Sequence, residues 1–209
     1  RDICANKYLS YLFAPEHHEE TYMAHNDQEL EVLRLSWAGR SDQRVAIKEL
    51  DSNGGDKVYV GVFKEYGSTL SFPVIVQGFI DTTGGCPELA DGMHDVRVAA
   101  YNGEIIHGLV RRPGDDSLKS NMQYGGESTA LYVQQIPAEL KRIIKELDQK
   151  LEQYGDRYFS ADFGYNGDSW KLFELNAYPG LATVETDGEA TEEYMQLLAE
   201  HLIQSAKEE

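Results

Sequence analysis

The chain has 209 residues, 41% of them hydrophobic, with 19 Lys and Arg against 36 Asp and Glu, a formal net charge of −17. That length and composition can bury a real core in one domain or two small lobes. The acidic balance disfavours nucleic acid and anionic lipid surfaces as partners, because both carry the same sign of charge.

No stretch approaches the roughly 20 consecutive apolar residues that a membrane helix needs, and no charged-then-apolar leader opens the chain. A soluble, cytoplasmic protein is expected. Cys4 and Cys86 form neither a disulfide framework nor a zinc spacing and read as reduced thiols. The first residue is Arg1 rather than Met, which suggests a trimmed chain with something missing upstream.

Taken in order, Ile3 to Phe13 predicts a short helix ended by Ala14-Pro15, because a proline disfavours helix in the residue before it. Lys7 lies on it. His17 and His18, with His25 nearby, lack a carboxylate or cysteine at a ligand interval and read as solvated loop histidines. Asn26 followed by Glu29 has the form of a capping box, and Leu30, Leu33 and Trp37 recur at helical spacing after it.

Val45 to Leu50 predicts a strand, Ser52-Asn53-Gly54-Gly55 a turn, and Val58 to Val62 a second strand. Lys48 therefore precedes a glycine-rich loop whose backbone N–H groups could cover phosphates. From these residues alone the phosphate reading is weak, and an ordinary hairpin turn beside a surface lysine is the favoured alternative. Val74 to Ile80 is an apolar strand of buried type, followed by the flexible stretch from Asp81 to His94. Two further strands, DVRVAAY and EIIHGLVRR, are joined by Asn102-Gly103, a strong hairpin signal. The loop from Pro113 and a linker lead to Ile136. Pro137 to Tyr154 is an amphipathic helix with Leu140, Ile143, Ile144, Leu147 and Leu151 on one stripe and Gly155 past its end. A closing helix should turn Tyr194, Leu197, Leu198 and Leu202 inward.

The stretch Tyr158 to Leu181 reads as a hairpin with an apolar and a polar face on each arm. Glu174 and Asn176 are two apart and share a side of their strand. A two-residue turn at Asn166-Gly167 would pair Asp162 with Lys171 and face it away from Glu174. An odd-numbered loop centred on Gly167 would set Asp162 opposite Leu172, with Glu174 its diagonal neighbour at about 7–8 Å. That register also gathers Ala161, Phe163, Phe173 and Leu175 on one buried face, and is the one expected. Asp162, Glu174 and Asn176 would then present hard oxygen ligands suited to Mg²⁺ or Mn²⁺ held with substrate phosphates. Ordinary acidic residues on a wet face are the bland alternative in so acidic a chain.

Arg97, Arg111, Arg112 and Lys119 cluster before this hairpin in an otherwise acidic sequence. Cations beside candidate metal ligands suggest a phosphate held between them, or else simple neutralisation of surface acid.

The run EIIHGLVRRP…LKSNMQYGG, then a helix, then ADF…FELNAYPGL, resembles the ATP-grasp superfamily, especially its branch of glutathione synthetases and ribosomal-protein glutamate ligases. The similarity runs from Lys7 to the last helix. It implies an α+β fold of two lobes, residues 1–76 and 77–209, each with an antiparallel sheet and helices, and ATP with Mg²⁺ held between them. It also implies ATP-dependent ligation of a carboxylate to an amine through an acyl-phosphate. By position, Lys7 and Lys48 match two phosphate lysines, Ser52, Gly54 and Gly55 the loop over the phosphates, and Gln77, Gly78 and Phe79 the adenine hinge. Asp95 and Arg97 match an Asp-x-Arg pair facing ribose and phosphates. Arg111, Lys119, Ser120 and Asn121 match residues around the transferred phosphoryl group, with Arg111, Lys119 and Asn121 in catalytic roles. Asp162, Glu174 and Asn176 match the Mg²⁺ ligands.

The sequence departs from the family pattern in an extra segment, about Cys86 to Met93, which opens the ribose contact to Asp81 or Glu88 as well as Asp95. Lys119 stands for a more usual arginine, keeping the charge but losing the planar fork. The family's usual N-terminal α/β domain has no counterpart, so a partner lobe or a second copy of the chain is a further expectation. Small-molecule or peptide acids and amines are the implied substrates. The competing expectation is a nucleotide- or metal-binding module without turnover, or one piece of a larger ligase.

Overall fold

The computed structural model describes residues 2–37, 43–50, 57–114, 126–177 and 188–208. By backbone contacts the chain divides into two compact units, Arg1–Asp81 and Thr82–Glu209.

In the first unit, α1 (Asp2–Ala5) and α2 (Lys7–Phe13) replace the single opening helix expected from the sequence. Asn6 divides them: its Oδ1 accepts from the N–H groups of Tyr8 and Leu9 at 3.0 and 3.1 Å and so starts a new helix. β1 (Thr21–Ala24) was not foreseen, since four residues are too few to carry a periodic signal. α3 (Asp27–Ser36) starts as the capping box requires, with Asn26 Oδ1 accepting from Glu29 N–H at 2.9 Å. β2 (Arg44–Glu49), β3 (Val58–Val62) and β4 (Val74–Gly78) complete an antiparallel sheet ordered β1-β4-β2-β3. Leu30 and Trp37, at and just beyond α3, pack with Val45, Ile47, Val74 and Val76 of the sheet. Each such burial contributes about 1.5–3 kcal/mol, which fixes the sheet against the helix.

In the second unit, β5 (Asp95–Tyr101) and β6 (Glu104–Arg112) meet at Asn102 and Gly103, with φ of 47° and 81°. Both values are left-handed, as a two-residue hairpin turn demands. β7 (Glu127–Leu131) pairs with β6 where the sequence suggested only a linker. α4 (Ala138–Leu151) buries all five residues of its apolar stripe, and a 3-10 turn, Glu152–Tyr154, finishes it. β8 (Tyr158–Tyr165) and β9 (Trp170–Asn176) form the hairpin, and α5 (Gly188–Glu208) closes the chain. The strands make an antiparallel sheet ordered β7-β6-β5-β8-β9.

On one face of this sheet Val96, Val98, Phe159, Ala161, Phe163 and Leu172 are buried. On the other, at one end, Tyr194 of α5 stacks 4.7 Å from His107 and hydrogen-bonds Tyr158 at 2.8 Å between hydroxyls. Leu197 and Leu198 pack beside it, but Leu202 is 54% exposed, contrary to expectation. At 100° per residue, eight positions turn Leu202 about 80° away from Tyr194, off the inward stripe. No helix among the described residues is long and apolar enough to cross a membrane.

Candidate functional site

Register builds the candidate site on the polar face of the second sheet. Asp95 pairs with Arg111 across β5 and β6, Arg97 with Asp162 across β5 and β8, and Asp162 with Glu174 across β8 and β9. Directly paired residues share a face, so these five charged side chains stand together. Arg97 donates side-on to Asp162, from Nε to Oδ1 and from Nη2 to Oδ2, both at 2.7 Å. Arg111 bridges the two aspartates, donating from Nη2 to Asp162 Oδ2 at 2.8 Å and from Nε to Asp95 Oδ1 at 2.6 Å. Asp162 is 3% exposed and Asp95 7%, so these are buried ion pairs rather than surface ones. Arg97 and Arg111 thus answer buried carboxylates, and Arg112 is tied elsewhere, to Leu89 O at 2.9 Å.

The hairpin reaches this arrangement by a route the sequence did not suggest. Its loop holds four residues, Asn166 to Ser169, between the paired Tyr165 and Trp170, an even number instead of an odd one. Continued regularly, that register would set Asp162 opposite Phe173 and turn Glu174 toward the core. A bulge after the Phe163–Leu172 pair inserts Phe173 as the extra residue, and beyond it Asp162 faces Glu174 and Ser160 faces Asn176. Leu172, not Phe173, therefore joins Leu175 on the buried face. The Phe173 ring lies over Gly164, where a Cβ would sit 2.6 Å from the end of that ring.

Burial pushes the Asp95 carboxyl up to about 7, against the pull of Arg111 and with the help of the neighbouring Asp162 charge. Burial acts on Asp162 in the same sense, but Arg111 and then Arg97 outweigh it and hold this carboxyl well below the usual range. Two carboxylates compete for Arg111, and the one gripped by a second guanidinium keeps its charge. His107, under Tyr194, is pushed down to about 4, first by burial and then by Arg97.

In the first unit, Lys48 is 7% exposed and donates from Nζ to Gln77 Oε1 at 2.8 Å. Gln77 Nε2 donates to Thr21 Oγ1 at 3.1 Å and lies 3.4 Å from His18 Nδ1. Lys7, also buried, opens α2, and its N–H donates to Leu50 O at 3.2 Å. His17 and His18 are buried, at 9% and 5% exposure, which corrects their reading as solvated. His17 ends a 3-10 turn, Pro15–His17, and His18 caps it and lies edge-on to Tyr11 of α2, whereas a loop reading assumes no such cover. Thr21 joins the Lys48 cluster from β1, whose shortness hid it, and His18 from the end of the 3-10 turn before it. The N–H groups of Gly78 and Phe79 are spent on Glu20 O at 3.0 Å and Arg44 O at 3.3 Å.

Ser52, Gly54, Gly55, Lys119, Ser120 and Asn121 lie outside the described residues. The extra segment forms its own turn, with Cys86 N–H donating to Ala90 O at 2.8 Å. It borders a cavity of about 480 Å³ lined by Glu88, Leu89, Asp91 and Arg112 among others. Asp81 and Glu88 are exposed.

A magnesium ion fits the chemistry of Asp162, Glu174 and Asn176, which offer oxygen donors on one face of two paired strands. Glu174 and Asn176 are half-buried, and Asn176 Nδ2 has no hydrogen-bond partner among the described residues. Among the described residues no group of three or more His, Cys, Asp and Glu could hold a metal, so the set rests on two carboxylates and an amide.

A family model described as the RimK-like ATP-grasp domain matches residues 20–200 of the chain. Among curated proteins none matches it in sequence. Solved structures resemble it in fold. A D-alanine–D-alanine ligase from Bacillus anthracis complexed with ATP superposes with a TM-score of 0.59 at 14% identity, over 99% of this chain and 68% of that one. The ATP-grasp ligase PsnB, complexed with a phosphomimetic variant of a minimal precursor, Mg and ADP, gives 0.60 at 15% identity, over 94% and 58%. The D-cycloserine synthetase DcsG gives 0.61 at 14%, over 95% and 70%. The chain thus spans between 58% and 70% of the length of these three proteins.

Proposed function

The chain belongs to the RimK-like ATP-grasp family, and from that premise we propose that it is an ATP- and Mg²⁺-dependent ligase joining a carboxylate to an amine through an acyl-phosphate. The observation that carries this reading is the shared face of Asp162, Glu174 and Asn176 with Arg97 and Arg111 beside them. Carboxylate oxygens and guanidinium groups on neighbouring strands of one face support a site for a metal held together with phosphate. PsnB, of like fold, was solved with Mg and ADP, and the D-alanine–D-alanine ligase with ATP, which supports the same cofactors here.

In this reading the first unit is the small lobe and the second the large one. Lys7 and Lys48 bind nucleotide phosphates, with Gln77 orienting Lys48 and Ser52, Gly54 and Gly55 closing over them. Carbonyl oxygens of Gln77 to Phe79 accept from the adenine amino group. Asp95 is spent on Arg111, so it orients that guanidinium, and the ribose contact falls to Asp81 or Glu88. Asp162, Glu174 and Asn176 would hold Mg²⁺, or Mn²⁺ in its place, which would supply positive charge to offset that of the phosphates.

The substrate carboxylate oxygen attacks the γ-phosphorus in line, the bond to the ADP oxygen breaks, and an acyl-phosphate forms. Arg111, Lys119 and Asn121 stabilise charge on the transferring group. The amine then attacks the acyl carbon, phosphate leaves with the original carboxylate oxygen, and the nitrogen loses a proton. Positioning and electrostatics carry both steps, so no nucleophilic Ser or Cys is needed.

The test is ADP release from Mg-ATP across a panel of amino acids and short peptides offered as acid and amine. For an acid that stimulates release, ¹⁸O in its carboxylate should appear once in the phosphate. Mg-ATP binding with no release under any pairing would favour a binding module instead.

A further inference from the structure

The polar face holds a conflict that the ligase reading has to resolve. Asp162 is a candidate metal ligand, yet both of its oxygens already accept hydrogen bonds from guanidinium groups, three in all, at 2.7 to 2.8 Å. We infer that Arg97, with Arg111, occupies Asp162 in place of a metal until nucleotide phosphate is present, and that phosphate then draws the guanidinium groups away and frees the carboxylate. This rests on the ligase reading and makes Arg97 a positioning residue for the metal ligand.

The geometry supports the exchange in three ways. A carboxylate offers its in-plane lone pairs to a metal, and the side-on fork of Arg97 spans both oxygens of Asp162. A cation approaching Asp162 would also come up against two fixed positive groups in a buried setting, where like charges are poorly screened. Finally, the balance of the cluster matters. Arg97 and Arg111 bring two positive charges against the carboxylates of Asp162 and Glu174, with Asp95 the third acid of the cluster. A divalent ion alone would add two positive charges to a face already close to balance, whereas a metal arriving with a phosphate chain brings its own anions. The same planar fork that fits a carboxylate fits a phosphate, so Arg97 loses no geometry in changing partner.

Glu174 and Asn176 are set differently. Neither is part of the guanidinium lock, and each could engage metal without displacing it. Asp162 is therefore the gate of the three.

Nucleotide chelates metal by itself, so the deciding titration contains none. Mn²⁺ alone is added to the 209-residue chain, and binding is read from loss of the free-ion paramagnetic resonance signal. Arg97→Gln should bind Mn²⁺ about tenfold or more tightly than the wild type, because removing the lock removes the conformational penalty on the competent state. Arg97→Lys, which keeps the charge but loses the fork, should gain less. Arg97→Gln with Asp162→Asn should show no gain. Near-ultraviolet circular dichroism establishes that each variant is folded, and if Arg97→Gln is not, Arg97→Lys decides. Equal Mn²⁺ affinity in the wild type and the folded Arg97 variant, or a gain that survives Asp162→Asn, overturns the inference. Failure of the ligase reading shows separately, as absence of ADP release from Mg-ATP by the wild-type chain under every pairing of acid and amine.

Discussion

At the scale of single residues, Asp162 serves structure as well as the proposed chemistry. Replacing it with Asn leaves two buried guanidinium groups without their main counter-charge, which should cost about 3–5 kcal/mol in urea denaturation. Glu174→Ala, at a half-buried position, should cost less than about 1 kcal/mol while abolishing Mg²⁺-dependent turnover. Equal stability losses in the two variants would contradict this division. Asp95 gives a pH signature. Its folded carboxyl is raised to about 7, above the ordinary value near 3.8, so the folded state holds a proton that the unfolded chain releases. Stability from this group is full below about pH 3.8 and declines as pH rises toward 7. Asp162, held low, contributes in the opposite sense, above its ordinary range, and is lost only in acid. Denaturation at pH 5 and pH 7.5 should therefore show a smaller loss over that interval in Asp95→Asn than in the wild type. An identical loss would mean that Asp95 is ionised across the range.

At the scale of elements, the β8–β9 hairpin shows what the sequence could and could not tell. Alternation of Phe159, Ala161 and Phe163 with Ser160 and Asp162 is plain from composition, and so is the shared side of Glu174 and Asn176. The bulge is not, because Leu172-Phe173 is apolar at both positions and either could have taken the core place. The site face was therefore legible while the register that makes it was not. Short or aperiodic pieces failed for a similar reason: β1 has four residues, β7 reads ESTAL with no clean alternation, and buried His17 and His18 look polar. Long elements with a strong pattern, such as α4, were readable to within a turn. The bulge gives a prediction of its own. Gly164→Ala would force a methyl to within 2.6 Å of the Phe173 ring and 2.7 Å of Thr82 Cγ2. Thermal denaturation should show a cost of about 1–3 kcal/mol, reduced when Phe173→Leu is added. Additive losses in the double variant would show that Phe173 does not hold that position.

At the scale of the molecule, each unit holds polar groups of its own. The first holds Lys7 and Lys48 on helix and strand, with Gln77 bonded to one of them; the second holds the charged sheet face. The chain belongs to the RimK-like ATP-grasp family, and the fold neighbours, at 14% to 15% identity, share the architecture without fixing the substrates. In a chain of net charge −17, Arg97 and Arg111 stand together among carboxylates on one face of the second sheet. The most direct test of the proposed activity is ADP formation from Mg-ATP, measured on the wild-type chain and on Glu174→Ala with the same acid and amine. The proposal predicts release that needs Mg²⁺ and both substrates in the wild type and falls by at least about a hundredfold in Glu174→Ala. Undiminished Mg²⁺-dependent ADP formation by Glu174→Ala would contradict it.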